Sequence, residues 1–201
     1  MRARCLSSLT RSAAMLPALL QVALGLVPAR AAEGAHAESS RHGDVVEIRA
    51  AADLAAYRAT AWRVLTDYGH YTAFIPGMSV SRVVSTHGTS VIVEQAGTAA
   101  LGPLHIPFEI TFQIEESPPD GIDSRAVSGS LRSIESRYTL AVREQGSRLL
   151  YAGRVRLGFP LLGSLGRSVI EENVGRQFGA LVGEIERQHR GEPAPSTEAP
   201  R

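Results

Sequence analysis

Segment 106–115, IPFEITFQIE, constrains the fold of this chain more than any other stretch. Ile106, Phe108, Ile110, Phe112 and Ile114 take every second position, and Pro107, Glu109, Thr111, Gln113 and Glu115 take the positions between. Side chains of a strand point alternately to its two faces, so this is a half-buried antiparallel strand with one greasy face. A strand of this kind cannot stand alone, and its neighbours carry matching signals. Residues 80–86 and 90–98 read as strands joined by a tight turn at His87-Gly88. Pro118-Pro119-Asp120-Gly121 turns the chain into a weaker strand at 122–128. In 132–143 the residues Ile134, Tyr138, Leu140 and Val142 share a face, and in 148–158 so do Leu149, Tyr151, Val155 and Leu157. Val45, Val46 and Ile48 make a first strand.

The helical signals are fewer. The alanine-rich stretch 51–66, with Leu54, Tyr57, Trp62 and Leu65, reads as a helix. Residues 70–75 read as a second short helix, stopped by Pro76-Gly77. After Pro160 the apolar period becomes helical: Ile170, Val174, Phe178, Leu181 and Ile185 recur at spacings of four and three. A helix over 160–189 would be about 45 Å long. The expected fold is therefore α+β: about seven antiparallel strands in one curved sheet around one long C-terminal helix, with two short helices after the first strand. A helix of about 10 Å diameter cannot fill the hollow of so broad a sheet. An empty void of about 300 Å³ would cost about 7 kcal/mol, comparable with the whole stability of a domain, about 5–15 kcal/mol. The hollow must be wet, collapsed or occupied by an apolar guest.

The first thirty-one residues differ from the rest. Arg2, Arg4 and Arg11 precede an uncharged apolar run at 13–27, and Ala29-Arg30-Ala31 has the small residues of a cleavage site. This is the layout of a secretory signal peptide, and it predicts a periplasmic or secreted mature protein. Residues 32–43 read as a flexible linker, 44–190 as the domain and 191–201 as a disordered tail. Cleavage removes four arginines and no acid, so 17 arginines face 20 acids and the net charge is −3. That is a poor balance for binding nucleic acid. The single cysteine, Cys5, lies in the signal, so the mature chain has no thiol chemistry. All 21 basic residues are arginine, which excludes a catalytic lysine. His70, His87 and His105 lie in separate segments without metal-ligand spacing.

Trp62-x-x-Leu65-Thr66-Asp67-Tyr68-x-x-Tyr71-x-x-Phe74-Ile75-Pro76-Gly77 resembles the signature of the coenzyme Q-binding, START-type polyketide cyclase and lipid-transport superfamily. Val93-Glu94-Gln95-x-Gly97, Val127-x-Gly129-x-Leu131-Arg132, Tyr138-x-Leu140, Arg148-Leu149-x-Tyr151 and Phe159-Pro160-Leu161-Leu162 follow in the order that family shows, over about 44–188. The resemblance implies a helix-grip, Bet v 1-like fold with an apolar tunnel. It implies no universal catalytic residue, because the fold serves lipid carriers, ubiquinone binders, aromatases, cyclases and ligand receptors.

The ligand-facing candidates follow. Val93, Phe108, Ile110 and Phe112 are cavity wall or plain core. Phe74 and Ile75 are a lid before Pro76-Gly77 or a helix packed on the sheet edge. Gln95, Ser136, Tyr138 and Tyr151 are inward polar groups that need a ligand, a water or a neighbour as partner. Val174 and Phe178 are core first and wall second. Arg154 and Arg156 fall on the solvated face, and Asp67 reads as a helix cap. Segment 157–166, LGFPLLGSLG, meets a membrane surface transiently, gates the cavity, or packs as the first turns of the helix. The expected function is an exported carrier or chaperone for a hydrophobic small molecule or lipid, a quinone being one option. No metal or cofactor is called for. The alternatives are an aromatase/cyclase-like enzyme, using Tyr138 or Tyr151 as acid or base, and a protein-interaction module.

Overall fold

The computed structural model describes residues 36–101, 104–130, 133–156 and 164–192. The signal-like segment, residues 157–163 of the apolar segment and the tail from 193 lie outside the described residues. So do Leu131, Arg132 and Leu157.

The chain folds as a helix grip. Strands β1 (His36–His42), β2 (Val45–Leu54), β3 (Met78–His87), β4 (Ser90–Leu101), β5 (Leu104–Ser117), β6 (Gly121–Gly129), β7 (Ser133–Val142) and β8 (Ser147–Arg156) form one antiparallel sheet. Its order is β1-β2-β8-β7-β6-β5-β4-β3. Helix α1 (Arg58–Leu65) and a 3₁₀ turn (Tyr68–Ala73) link β2 to β3, and the long helix α2 (Ser164–His189) closes the chain.

Two expectations about the N-terminal part are corrected. Residues 36–42, read as linker, form an edge strand that pairs with β2 from His36↔Ala51 to His42↔Val45. Its sequence, HAESSRH, has no apolar alternation because an edge strand draws most of its support from backbone bonds. Residues 51–54, read as helix, extend β2 instead, with Ala51↔Leu150 and Leu54↔Ser147 in register with β8. Ala50, Ala52 and Leu54 are buried on one face. Alanine favours a helix by about 0.7 kcal/mol or less per residue, and a row of sheet pairs with a buried face overrides that. With β1 added, the sheet has eight strands against the seven or so expected.

Strands β4 to β8 follow the alternation of the sequence. On β7 the inward row is Ile134, Ser136, Tyr138 and Leu140. Val142, expected to continue it, is 68% exposed, because the strand end runs past the cover of α2. The C-terminal half of α2 is cemented to the sheet: Phe178, Leu181, Val182 and Ile185 pack with Ala50, Ala52, Leu54, Leu140, Leu149 and α1. Tyr68, Val91, Val93, Ile114 and Ile122 form a second cluster under the 3₁₀ turn. Val46, Ile48 and Val155 form a third, against Ile170 and Val174. Ile170, Asn173, Val174 and Gln177 of α2 are only half-buried. The interior is therefore solid at one end of α2 and hollow where the three clusters fail to meet. Among the described residues no helix is long and apolar enough to cross a membrane.

Candidate functional site

The hollow measures about 270 Å³. Its floor is the inner face of β5, where Ile106, Phe108, Ile110, Phe112 and Ile114 all reach it. Gln95 and Ala99 of β4, Ile122 and Ser124 of β6, Ser136 and Tyr138 of β7, and Tyr151 and Val155 of β8 extend the wall. Tyr68, Tyr71 and Ile75 close one end, and Ile170, Asn173, Val174, Gln177 and Leu181 of α2 form the roof. Larger troughs of about 400 and 530 Å³ lie on the outer face of the sheet. They run between the tips of residues such as Arg49, Arg137 and Arg154, are open to water, and are crossed by exposed ion pairs such as Arg154–Glu47 and Arg137–Asp123.

Nine of the twelve residues expected from the sequence line the hollow: Ile75, Gln95, Phe108, Ile110, Phe112, Ser136, Tyr138, Tyr151 and Val174. Three sit beside it in solid packing. Val93 is 0% exposed and Phe178 1%. Phe74 packs against the first cluster, its ring 5.5 Å from that of Tyr71. Nor is the Pro76-Gly77 link a free lid. The Gly77 carbonyl accepts a hydrogen bond from the Thr98 N–H at 2.8 Å. A Cβ on Gly97 would overlap that carbonyl oxygen, so a glycine there permits the close approach.

The polar groups fall into tied and untied sets. The Tyr71 hydroxyl donates to the Leu65 carbonyl at 2.6 Å and the Tyr68 hydroxyl to Glu116 at 2.9 Å. Gln95 reaches Ser81 only at 3.4 Å, while the Ser81 hydroxyl donates to the Tyr68 carbonyl at 2.6 Å. Asn173 clasps the backbone of Ala100, accepting from its N–H at 3.1 Å and donating to its carbonyl at 3.0 Å. On the other side of α2, Ser39 of β1 donates to Glu171 at 2.5 Å. These two straps tie the less buried half of α2 to opposite arms of the sheet.

Tyr138 and Tyr151 are register partners at the centre, with ring centroids 4.8 Å apart. The Tyr151 ring lies along its own strand over Gly153, where a Cβ would stand 2.5 Å from the phenol oxygen. Burial pushes the Tyr151 phenol up to about 12, with the neighbouring Ser136 hydroxyl pulling it down. Burial likewise holds Tyr138 well above the usual phenol range, helped by Tyr151 and Tyr71. Tyr68 is raised by burial and then by Glu116, and Tyr71 chiefly by burial. All four phenols therefore stay protonated, and those of Tyr68 and Tyr71 donate to partners within the chain. No group of three or more His, Cys, Asp or Glu side chains among the described residues is placed to hold a metal.

Sequence reasoning missed Tyr68, Tyr71, Ile122, Ser124, Asn173 and Gln177. Tyr68 and Tyr71 stand in the motif that carries the resemblance, which was the available signal. Gln177 stands next to Phe178, one position off the apolar stripe, and nothing local distinguishes it from a solvated glutamine. Ile122 and Ser124 lie on β6, whose inward row of Ile122, Ser124 and Ala126 holds one large apolar residue and so gives a weak alternation signal.

No curated protein matches the chain. Solved structures do. The STAR-related lipid transfer protein from Xanthomonas axonopodis superposes with a TM-score of 0.63 at 16% identity, covering 77% of this chain and 94% of its own. The Zhui aromatase/cyclase from Streptomyces gives 0.63 at 15% identity, covering 74% and 99%. A START superfamily protein from Mycobacterium smegmatis gives 0.60 at 15%, covering 71% and 98%. At such identities the likeness establishes the fold. The family model for polyketide cyclase/dehydrase and lipid transport matches residues 54–181, which spans α1, β3 to β8 and the part of α2 that roofs the hollow. The chain belongs to the polyketide cyclase/dehydrase and lipid transport family.

Proposed function

We propose that this protein is an exported carrier or chaperone that holds one hydrophobic small molecule, a quinone or another lipid among the options, between its sheet and α2. The observation that carries this reading is the hollow of about 270 Å³, fifteen of whose twenty-five lining residues are apolar (seven of them Ile) and ten of which are Tyr, Ser, Asn or Gln. That is the composition of a small-molecule pocket. An enclosed dry void of that size would cost about 6 kcal/mol at about 24 cal/mol per Å³. This hollow is part-open and can hold water, and an apolar guest that displaces the water from its Ile and Phe walls stabilises the folded chain. The signal-like start motivates export. Segment 157–166 is the candidate for transient contact with a membrane surface during loading.

The enzymatic alternative would use Tyr138 or Tyr151 to move a proton. Phenols raised by burial suit neutral donors and not bases at neutral pH, so binding is the reading adopted. The test is organic extraction of the purified protein followed by mass spectrometry. One apolar molecule per chain is expected. A blank extract, together with no binding of ubiquinone analogues or medium-chain lipids, would refute the carrier reading.

A further inference from the structure

We infer that the hollow selects an electrically neutral ligand of about eleven non-hydrogen atoms carrying a hydrogen-bond acceptor, such as a medium-chain ketone or ester, over the carboxylate of the same size. The inference deepens the carrier reading and rests on it.

Three observations converge. The first is charge. Among the described residues that line the hollow none is Asp, Glu, His or Arg; every polar group there is a phenol, a hydroxyl or a carboxamide. Two acids stand at its closed end, one of them, Asp67, bonded to His70. Glu116 accepts from Tyr68 at 2.9 Å, and Asp67 adds its field at Tyr71. A carboxylate entering this site would leave water and find no cation among the described lining residues. The Arg176 guanidinium beside the roof is already engaged by the Asn173 carboxamide oxygen at 2.6 Å, the Ala100 carbonyl and Glu172. A neutral carbonyl needs only one donor.

The second observation supplies that donor. Tyr138 lies at the centre of the wall, yet its hydroxyl makes no hydrogen bond among the described residues. Every fully enclosed side-chain N or O atom in the described structure does have a partner. The Tyr138 hydroxyl therefore borders open cavity space. Ser124 and the Gln177 carboxamide line the same space and are likewise unpartnered among the described residues. A carbonyl oxygen placed between β7 and α2 would meet these donors, while an alkyl chain lies along Phe108, Ile110 and Phe112.

The third is size. A dry cavity of about 150 Å³ accepts benzene, so 270 Å³ holds roughly eleven non-hydrogen atoms. A two-chain lipid would have to leave most of itself outside.

Nonanoic acid and methyl octanoate are isomers with eleven non-hydrogen atoms each, which makes them a matched pair of about the size set by the cavity. Binding to the purified protein is measured for both by calorimetry at about pH 7, where the acid is ionised. The ester should bind at least about tenfold tighter. Equal affinity, or preference for nonanoate, overturns the inference and leaves the carrier reading standing. Failure of both ligands to bind overturns the inference, and the carrier reading is then decided by the extraction. In Tyr138→Phe, which keeps the ring, affinity for methyl octanoate should fall about threefold to tenfold while affinity for nonane stays unchanged. Equal losses for ester and alkane would remove Tyr138 from the acceptor site.

Discussion

Replacing Gly153 by alanine separates a hollow interior from a packed one. The new Cβ would stand 2.5 Å from the Tyr151 phenol oxygen and 2.9 Å from Cζ, so the ring must swing off its strand. If the space beyond is open, the ring moves into it. Leaving its rotamer by about 30° costs about 0.5–1.5 kcal/mol, and loosening the Ser136 contact costs about 1 kcal/mol. Alanine recovers about 0.5–1 kcal/mol over glycine within a strand. The net loss is about 0.5–2 kcal/mol, a fall in Tm of no more than about 8 °C for a chain of this size. Gly97→Ala is the control. There the clash is with the Gly77 carbonyl, a backbone group fixed by the Thr98 N–H at 2.8 Å, which cannot rotate away. That variant should lose at least about 3 kcal/mol. Urea denaturation of both variants beside the parent gives the comparison, and calorimetry with methyl octanoate gives the binding. Gly153→Ala should remain folded and bind about tenfold more weakly, because the displaced phenol occupies ligand space. If the two variants are equally destabilised, the Tyr151 ring has nowhere to go and the hollow is not there.

Three further outcomes are expected. Phe178→Ala should cost about 3–5 kcal/mol in urea denaturation, because this side chain is 1% exposed in the solid half of the core; a loss under about 1 kcal/mol would place it on the cavity side. The Arg187 hydrogen bond holds the Glu184 carboxyl below its ordinary value of 4.5. Its folded-state pKa is depressed, so its contribution is present above that value and is lost as pH falls through the folded pKa; urea midpoints from pH 7 down to about 3 should show this acid limb, and Glu184→Gln should flatten it. In a native-state absorbance titration Tyr68, Tyr71, Tyr138 and Tyr151 should remain un-ionised at about pH 11, the first to titrate being Tyr151 near 12; ionisation of all the phenols near 10 would mean that water reaches them freely.

What the sequence made legible depended on how strongly one force dominated. Ile106 to Ile114 alternate because one face of β5 meets the hollow and the other meets water, so both the strand and the cavity floor could be read directly. The stripe from Ile170 to Ile185 named the helix for the same reason. It could not say where core ends and cavity begins: Val174 and Phe178 are one turn apart on one stripe, but only Val174 reaches the hollow, because the sheet curves away beneath it. Polar edge strand β1 was invisible because its stability comes from backbone pairing with β2. Ala51 and Ala52 misled because their local preference is helical while their ladder with β8 is tertiary. Asn173 and Gln177 carry no local mark, since their roles depend on Ala100 and on the β7 wall, both distant in sequence.

Crystals of the ligand-stripped protein equilibrated under xenon pressure would probe the interior directly, since xenon enters dry apolar cavities and not close-packed cores. An ordered xenon atom is expected within the space bounded by Phe108, Ile110, Tyr138 and Val174, displaced when methyl octanoate is added. Side chains closing that space, with no xenon bound there, would contradict it.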